Sequence, residues 1–484
     1  LTGGTTWTSH VIGDGTGGGS GGGALLRSIA VNPADENHIV VVTEKGGLSS
    51  SFNNGATWTG LGKHHSSWDP IIWLNSIYDG DGLYDLQPGA SLQFDPSLTN
   101  TLLLGTGLGV VKGTAPPSSA SGLSYTQEWI GNSVGLEQLC AKRLLKPAGN
   151  SAVILSVMDQ GIFNCDGVHY PTYKGVMPYF SAGWDADWCP SDPLTLIVIM
   201  NEQRGGPEDQ SGISRNGGAT WTPWYGLSNN APYHMPYGVG RTGGQIACGA
   251  TRDNFMIIAI KNKPHYTTNG GASWTPCVFP ADFPQVVDSD QGWSTNYYDQ
   301  RHTICGDRVT ANKFYARNGW SNKFYVSTDG AATFTALPDA SALLPETGPH
   351  ARLQAVPGNA GHLFYTYGSS GNTNQKGPLA RSINGGTSWT GLGTVGSGPW
   401  EIICIGFGKN AVGQTYPAIF IIGWVSGVYG IYRSDDNCAT WVKFGDFPLG
   451  CFDTPVDICG DPDVYGTCYV SSSASGIFKY VPGS

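Results

Sequence analysis

Two carboxylates stand alone in front of glycine-rich turns. One is Glu44, in Thr43-Glu44-Lys45-Gly46-Gly47, and the other is Asp159, in Met158-Asp159-Gln160-Gly161. Only 13 % of the residues are charged, so such positions are few. A pair of carboxyl groups facing a carbohydrate is the minimum equipment for glycoside hydrolysis, one as acid and the other as base or nucleophile. Aromatic loops would supply the carbohydrate surface, because sugar faces stack on flat, uncharged rings. The stretch between Gly60 and Gly89 carries His64, His65, Trp68, Trp73 and Tyr84, and later loops carry Tyr233, His234, Tyr237, Trp293, Tyr298 and Trp320. Glu202 and Arg204 form a third polar hairpin, suited to holding substrate. Packing of the loops themselves is the alternative role for these rings.

Two other functions use the same residues differently. A polysaccharide lyase needs His and Tyr as base and acid and a cation to neutralise a uronate; His64, His65, Tyr84, His234, Arg241 and His302 offer these. A non-catalytic glycan-binding protein would keep the aromatics and need neither carboxylate. A sialidase is disfavoured, since the Arg-Ile-Pro signature is absent. No cofactor or metal is expected. Asp79-Gly-Asp81-Gly-Leu-Tyr-Asp85 begins like a calcium loop, but its twelfth position is Ala90 rather than Glu. There is no His-Glu-x-x-His and no Cys-x-x-Cys.

The formal charge of −10 without a Lys/Arg cluster argues against nucleic acid, whose phosphates require a basic stripe. No run of about 18 apolar residues provides a membrane helix. The expected partner is a polysaccharide or oligosaccharide, and the expected form is a secreted, processed monomer opening on Leu1. Of 11 cysteines, Cys140, Cys189, Cys248, Cys305, Cys404 and Cys459 recur in similar strand contexts and read as packing residues. Cys165, Cys277, Cys438, Cys451 and Cys468 are the better disulfide candidates.

The elements that must position these groups are β-strands. Glycine supplies 71 of 484 residues, roughly double the ordinary share of about 7 %. The repeat Ser/Thr-x-Asp/Asn-x-Gly-x-Ser/Thr-Trp appears at Ser51–Trp58, Ser214–Trp221, Thr267–Trp274 and Ser382–Trp389, with variants at Ser327–Phe334 and Ser434–Trp441. It describes a turn in which Asp or Asn bonds to following N–H groups, Gly takes a positive φ, and the aromatic plugs the core. Units near 50 residues begin around Leu26, Ser91, Leu136, Trp184, Gly244, His302, Ala351, Glu401 and Pro455. The expected fold is all-β: one closed propeller of four-stranded blades spanning 1–484, about nine blades, with seven or eight as alternatives. Gly3-Gly4-Thr5-Thr6-Trp7 would supply the fourth strand of the last blade and close the ring.

The repeat resembles the Asp-box of sialidase-like propellers, and the chain as a whole is similar to glycoside hydrolase family 74, the xyloglucan-degrading enzymes. Gly406-Phe-Gly-Lys, Gln414-Thr-Tyr-Pro-Ala-Ile-Phe, Gly427-Val-Tyr-Gly-Ile-Tyr-Arg-Ser-Asp-Asp and Gly460-Asp-Pro-Asp-Val-Tyr-Gly follow that family's closing blades. Gly306-Asp-Arg-Val, Lys313-Phe-Tyr and Phe324-Tyr-Val-Ser-Thr-Asp-Gly do likewise. The resemblance implies that Thr43-Glu44-Lys-Gly-Gly holds the catalytic base, where the family carries Asp and Glu44 is one methylene longer. It implies that Val134-Gly-Leu-Glu137 with Ser156-Val-Met-Asp159 holds the acid, and that hydrolysis inverts the anomeric centre. The family builds two facing propellers and takes one acid from each; here the middle of the first is missing.

Overall fold

The computed structural model describes residues 25–44, 46–67, 71, 89–98, 100–107, 109–120, 126–134, 139–158, 161–167, 182–201, 211–224, 243–259, 263–281, 283, 301–318, 323–344, 350–367, 379–393, 400–447 and 454–482. Every regular element among them is a strand, and no helix is long and apolar enough to cross a membrane. Outer strands such as Ser91–Phe94 alternate exposed and buried side chains, the period of a half-buried pleat. Inner ones such as Val153–Val157 are buried along their whole length and read as continuous apolar runs.

Contacts divide the chain into two compact units, Leu1–Gln138 and Leu139–Ser484, whereas the sequence repeat runs through without a break. The first unit holds one eight-stranded sheet. Its antiparallel run Leu26–Asn32, Asp35–Thr43, Leu48–Ser51 and Thr59–Ser67 joins the run Ser91–Phe94, Thr101–Gly105, Val110–Thr114 and Thr126–Gly131 through a parallel pairing of the last strand of each run.

Among the described residues, the second unit holds seven antiparallel sheets. Their first strands are Ala141–Leu145, Ala182–Cys189, Gly244–Cys248, Ile304–Gly306, Arg352–Ala355, Glu401–Gly408 and Pro455–Gly460. Each sheet lies beside the next along the chain, and the last lies beside the first. Leu139 N donates to Ala474 O at 2.8 Å and Gly476 N to Leu139 O at 3.3 Å. The fourth strand expected from residues 3–7 lies outside the described residues.

A first strand has a free edge toward its neighbour, and its N–H groups need acceptors. Side chains of the adjacent first strand provide them. Asp185 Oδ2 accepts from Ile246 N at 2.9 Å and Asp187 Oδ2 from Cys248 N at 2.8 Å. Gln245 Oε1 accepts from Thr303 N at 2.6 Å, and Asp457 Oδ2 from Leu144 N at 3.1 Å. The last of these bonds ties the seventh sheet to the first.

The Asx turns form as the repeat predicts. Asn53 Oδ1 accepts from Thr57 N at 2.8 Å, while Ser51 Oγ accepts from Gly55 N at 2.9 Å. The same pair of bonds recurs from Asn216, Asn269 and Asn384 and from the variant copies' Asp329 and Asp436. The glycine of each turn is left-handed, at φ +83° for Gly55 and +92° for Gly271. Ala331 and Cys438 accept the same conformation in the variant copies, at +73° and +72°. These sites predict two different costs. A methyl group on Gly55 meets only its own Trp58 ring at 3.7 Å, so Gly55→Ala pays left-handed strain alone, about 1 kcal/mol. On Gly271 it runs into the buried Trp224 indole, so Gly271→Ala should cost about 2–4 kcal/mol. Equilibrium urea unfolding of the two variants checks the order.

Candidate functional site

Glu44 follows the second strand of the first sheet, in the turn to the third strand. Thr43 shapes that turn: its N–H donates to Gly47 O at 2.9 Å and its hydroxyl accepts from Gly47 N at 3.0 Å. Gly46 takes φ +71°. The backbone of Glu44 is held on both sides, by its own N–H to Leu25 O at 2.9 Å and by Gly89 N to its carbonyl at 3.1 Å. Gly89 has to be glycine, because a Cβ there would stand 2.7 Å from Thr43 O. The carboxylate is partly exposed and meets Arg27 across the sheet, Nη2 to Oε2 at 3.4 Å. A solvent-reachable carboxylate on a pinned backbone is suited to accept a proton from water.

Asp159 lies outside the described residues, but both strands that flank it are described. Val153–Val157 and Gly161–Cys165 pair in register, with Val157 opposite Gly161. Met158 is buried, and its N–H donates to Cys140 O at 2.9 Å. Glu44 belongs to the first unit, and Asp159 falls in the sequence range of the second.

Trp68, Trp73, Tyr84, Glu202, Arg204, Tyr233, His234, Tyr237, Trp293, Tyr298 and Trp320 lie outside the described residues. His64 and His65 were expected in a loop and are on a strand instead. Thr59–Ser67 is prolonged by its parallel pairing with Thr126–Gly131, which sets His64 opposite Glu128 and His65 opposite Trp129. His302, offered above to a lyase, lies just before the strand Ile304–Gly306, in an isolated bridge to Arg352. It is buried, with Nδ1 2.8 Å from Asp185 Oδ2.

A buried set of charges went unrecognised in the sequence. Arg143 Nη1 lies 3.2 Å from Asp457 Oδ2, and its Nε 3.7 Å from Asp185 Oδ1. Arg352 Nη1 is 3.7 Å from the same Asp457 oxygen, and Arg308 Nη2 is 2.6 Å from Asp187 Oδ1. Asp185 is held below the usual carboxylate range by His302 and Arg143, against the opposing effect of burial. Arg143, His302 and Arg308 line a cavity of about 190 Å³ with Trp188, Gln354 and Phe407. The one available signal was Asp185-Ala-Asp187, two acids on the same face of a strand that otherwise reads as core. Among the described residues, no group of three or more His, Cys, Asp or Glu side chains is placed to hold a metal ion.

His350 sits beside the cationic end of this set. Burial first, then Arg352, Lys142 and Arg301, push its imidazole down to about 4. The unfolded chain takes up that proton near pH 6.5, the folded one only near 4, so protons favour unfolding between those values. Stability should therefore rise from pH 4 to 6.5 and level off above. His350→Gln should flatten that slope in thermal melts across the range.

No known family profile matches the chain. It is 30 % identical over 351 residues to the xyloglucanase Xgh74A of Acetivibrio thermocellus, an alignment covering 72 % of this chain and 36 % of that one. It is 28 % identical over 405 residues to a xyloglucanase of a Paenibacillus species, covering 81 % and 34 %. The chain thus spans about a third of the length of these curated relatives. In three dimensions it is similar to the crystal structure of the GH74 xyloglucanase from Xanthomonas campestris, with a TM-score of 0.69 at 21 % identity over 96 % of this chain and 60 % of that one. With its all-β sheets, its Asx turns and this likeness, the chain has the fold of the glycoside hydrolase family 74 xyloglucanases.

Proposed function

We propose that the protein hydrolyses glycosidic bonds of a xyloglucan-like β-glucan, with Asp159 as general acid and Glu44 as general base. What supports this reading is Glu44 directly after the second strand of the first sheet, and Asp159 next in sequence to the buried Met158, on a chain whose relatives are named xyloglucanases. Asp159 gives its proton to the leaving oxygen as the bond breaks. Glu44, ionised, takes a proton from the water that attacks the opposite face of the sugar. This is the inverting scheme, in which one carboxyl group protonates the leaving oxygen and the other activates water. The longer Glu side chain serves as base because the base touches water and never bonds to the sugar. The aromatic residues of the loops, Trp68, Trp73, Tyr84, Tyr233, Tyr237, Trp293, Tyr298 and Trp320, stack on the glucan. His64, His65, Glu202, Arg204 and His234 bond its hydroxyls. The protein works as a monomer outside the cell, where a polymeric substrate is met.

The test is incubation with xyloglucan, unbranched β-glucan and polygalacturonate, with products followed by proton NMR. Release of new reducing ends from xyloglucan, first as the α-anomer, is the expected result. An unsaturated, ultraviolet-absorbing product from polygalacturonate would replace this reading with the lyase, and binding without any product would replace it with a glycan-binding protein.

A further inference from the structure

Three turns from first to second strand are built alike. After Ser91–Phe94, Asp95 Oδ1 accepts from Ser97 N at 2.8 Å, Leu98 N at 3.1 Å and the Ser97 hydroxyl at 2.7 Å. After Ile304–Gly306, Asp307 Oδ1 accepts from Val309 N at 2.9 Å and Thr310 N at 2.8 Å. After Pro455–Gly460, Asp461 Oδ1 accepts from Asp463 N at 2.8 Å and Val464 N at 3.1 Å. Strand register shows what stands at this position elsewhere. Phe94 pairs with Leu102, Gly306 with Phe314 and Gly460 with Cys468 immediately before each Asp; Trp188 pairs with Leu196 immediately before Cys189. Cys189-Pro190-Ser191 therefore occupies the place of Asp95-Pro96-Ser97, and Ser191 Oγ lies 3.2 Å from the Cys189 sulfur. A turn that elsewhere holds an anion here holds a thiol.

The thiol is not alone. Cys189 ends the first strand of its sheet and Cys248 ends the first strand of the next, both fully buried in one cluster. The Cys189 sulfur lies 3.8 Å from the carbonyl oxygens of Gly249 and Ala250, the two residues that follow Cys248. Cys248 is fixed by its N–H to Asp187. The thiol of Cys189 is pulled down to about 6, first by the S–H of Cys248, against burial, and then by the Ser191 hydroxyl and the N–H groups of Ser191 and Asp192. Cys248 is pushed well above the ordinary thiol range by burial and by its sulfur neighbour.

We propose that Cys189 and Cys248, read above as packing residues, form an oxidisable pair in which the Cys189 sulfur attacks a peroxide and Cys248 closes a disulfide between neighbouring sheets. In the first step the Cys189 sulfur takes one oxygen of hydrogen peroxide as the O–O bond breaks and hydroxide leaves, giving a sulfenic acid. In the second, the Cys248 sulfur attacks the Cys189 sulfur and the S–O bond breaks. The sulfenic oxygen leaves as water, carrying the Cys248 proton. The two sulfurs lose two electrons in all, and the peroxide gains them.

The test is brief treatment of the native protein with hydrogen peroxide, then unfolding, alkylation without reductant, and peptide mapping. The expected result is a peptide linking Cys189 to Cys248, about 2 Da lighter than the two reduced peptides together, with both thiols lost to alkylation. In Cys248→Ser a dimedone adduct should form at Cys189. Titration of the untreated protein gives an independent readout: thiolate ultraviolet absorbance should fall away near pH 6 and be missing in Cys189→Ser. Alkylation of both cysteines after peroxide, or linkage of Cys189 to another cysteine, would overturn the proposal. So would a titration unchanged by Cys189→Ser.

Discussion

Asp159→Asn should lower the release of reducing ends from xyloglucan by about 10³-fold, with circular dichroism and melting temperature unchanged. General acid catalysis contributes roughly 10²–10⁴-fold, and an amide of the same shape has no proton to give the leaving oxygen. An aryl glycoside with a good leaving group needs little protonation, so the variant should keep far more of its rate on that substrate. Glu44→Gln should lose a similar factor on both substrates, because water activation is needed whichever group leaves. Together the two patterns separate acid from base. Equal losses for both variants on both substrates would remove the assignment of roles. Retention of activity by either variant would remove that residue from the mechanism. Exogenous azide offers a further check, since a small anion can replace the activated water in Glu44→Gln but not the proton missing from Asp159→Asn.

Asp457→Ala carries the largest expected effect on stability, about 3–5 kcal/mol, read as a drop in the urea midpoint of tryptophan fluorescence. Asp457 is 1 % exposed and serves four groups at once. Its Oδ2 faces Arg143 at 3.2 Å and Arg352 at 3.7 Å and accepts from Leu144 N at 3.1 Å, while its Oδ1 accepts from Ile458 N at 3.0 Å. Truncation deprives two buried guanidinium groups of this carboxylate and leaves an edge N–H with no acceptor. It also cuts one of the bonds that join the seventh sheet of the second unit to its first. Asp457→Asn keeps an acceptor and loses only the charge, so it should fall between Ala and wild type. A loss below about 1 kcal/mol for Ala would show that the sheets are held by apolar packing alone.

How much of this was legible in the sequence follows from the range of each interaction. The Asx turns were readable because every bond in them spans at most four residues, as in Ser51 to Gly55 and Asn53 to Thr57. The turn holding Cys189 was readable in principle too: Cys-Pro-Ser against Asp-Pro-Ser needs only the strand register to align it. His64 and His65 misled because their strand is extended by a partner far along the chain, and nothing in Gly60–Ser67 announces it.

The sequence by itself determined that the protein is made of repeated antiparallel strand units and where the Asx turns fall. Those are consequences of local chemistry: side chains that bond to nearby N–H groups, glycine where φ is positive, and alternation along a pleat. Only the tertiary structure decided which sheets are neighbours. The bond from Asp457 to Leu144 spans 313 residues, and that from Asp185 to Ile246 spans 61. A buried carboxylate is stable only where a cation and an N–H meet it, and no local pattern says which distant strand will bring them.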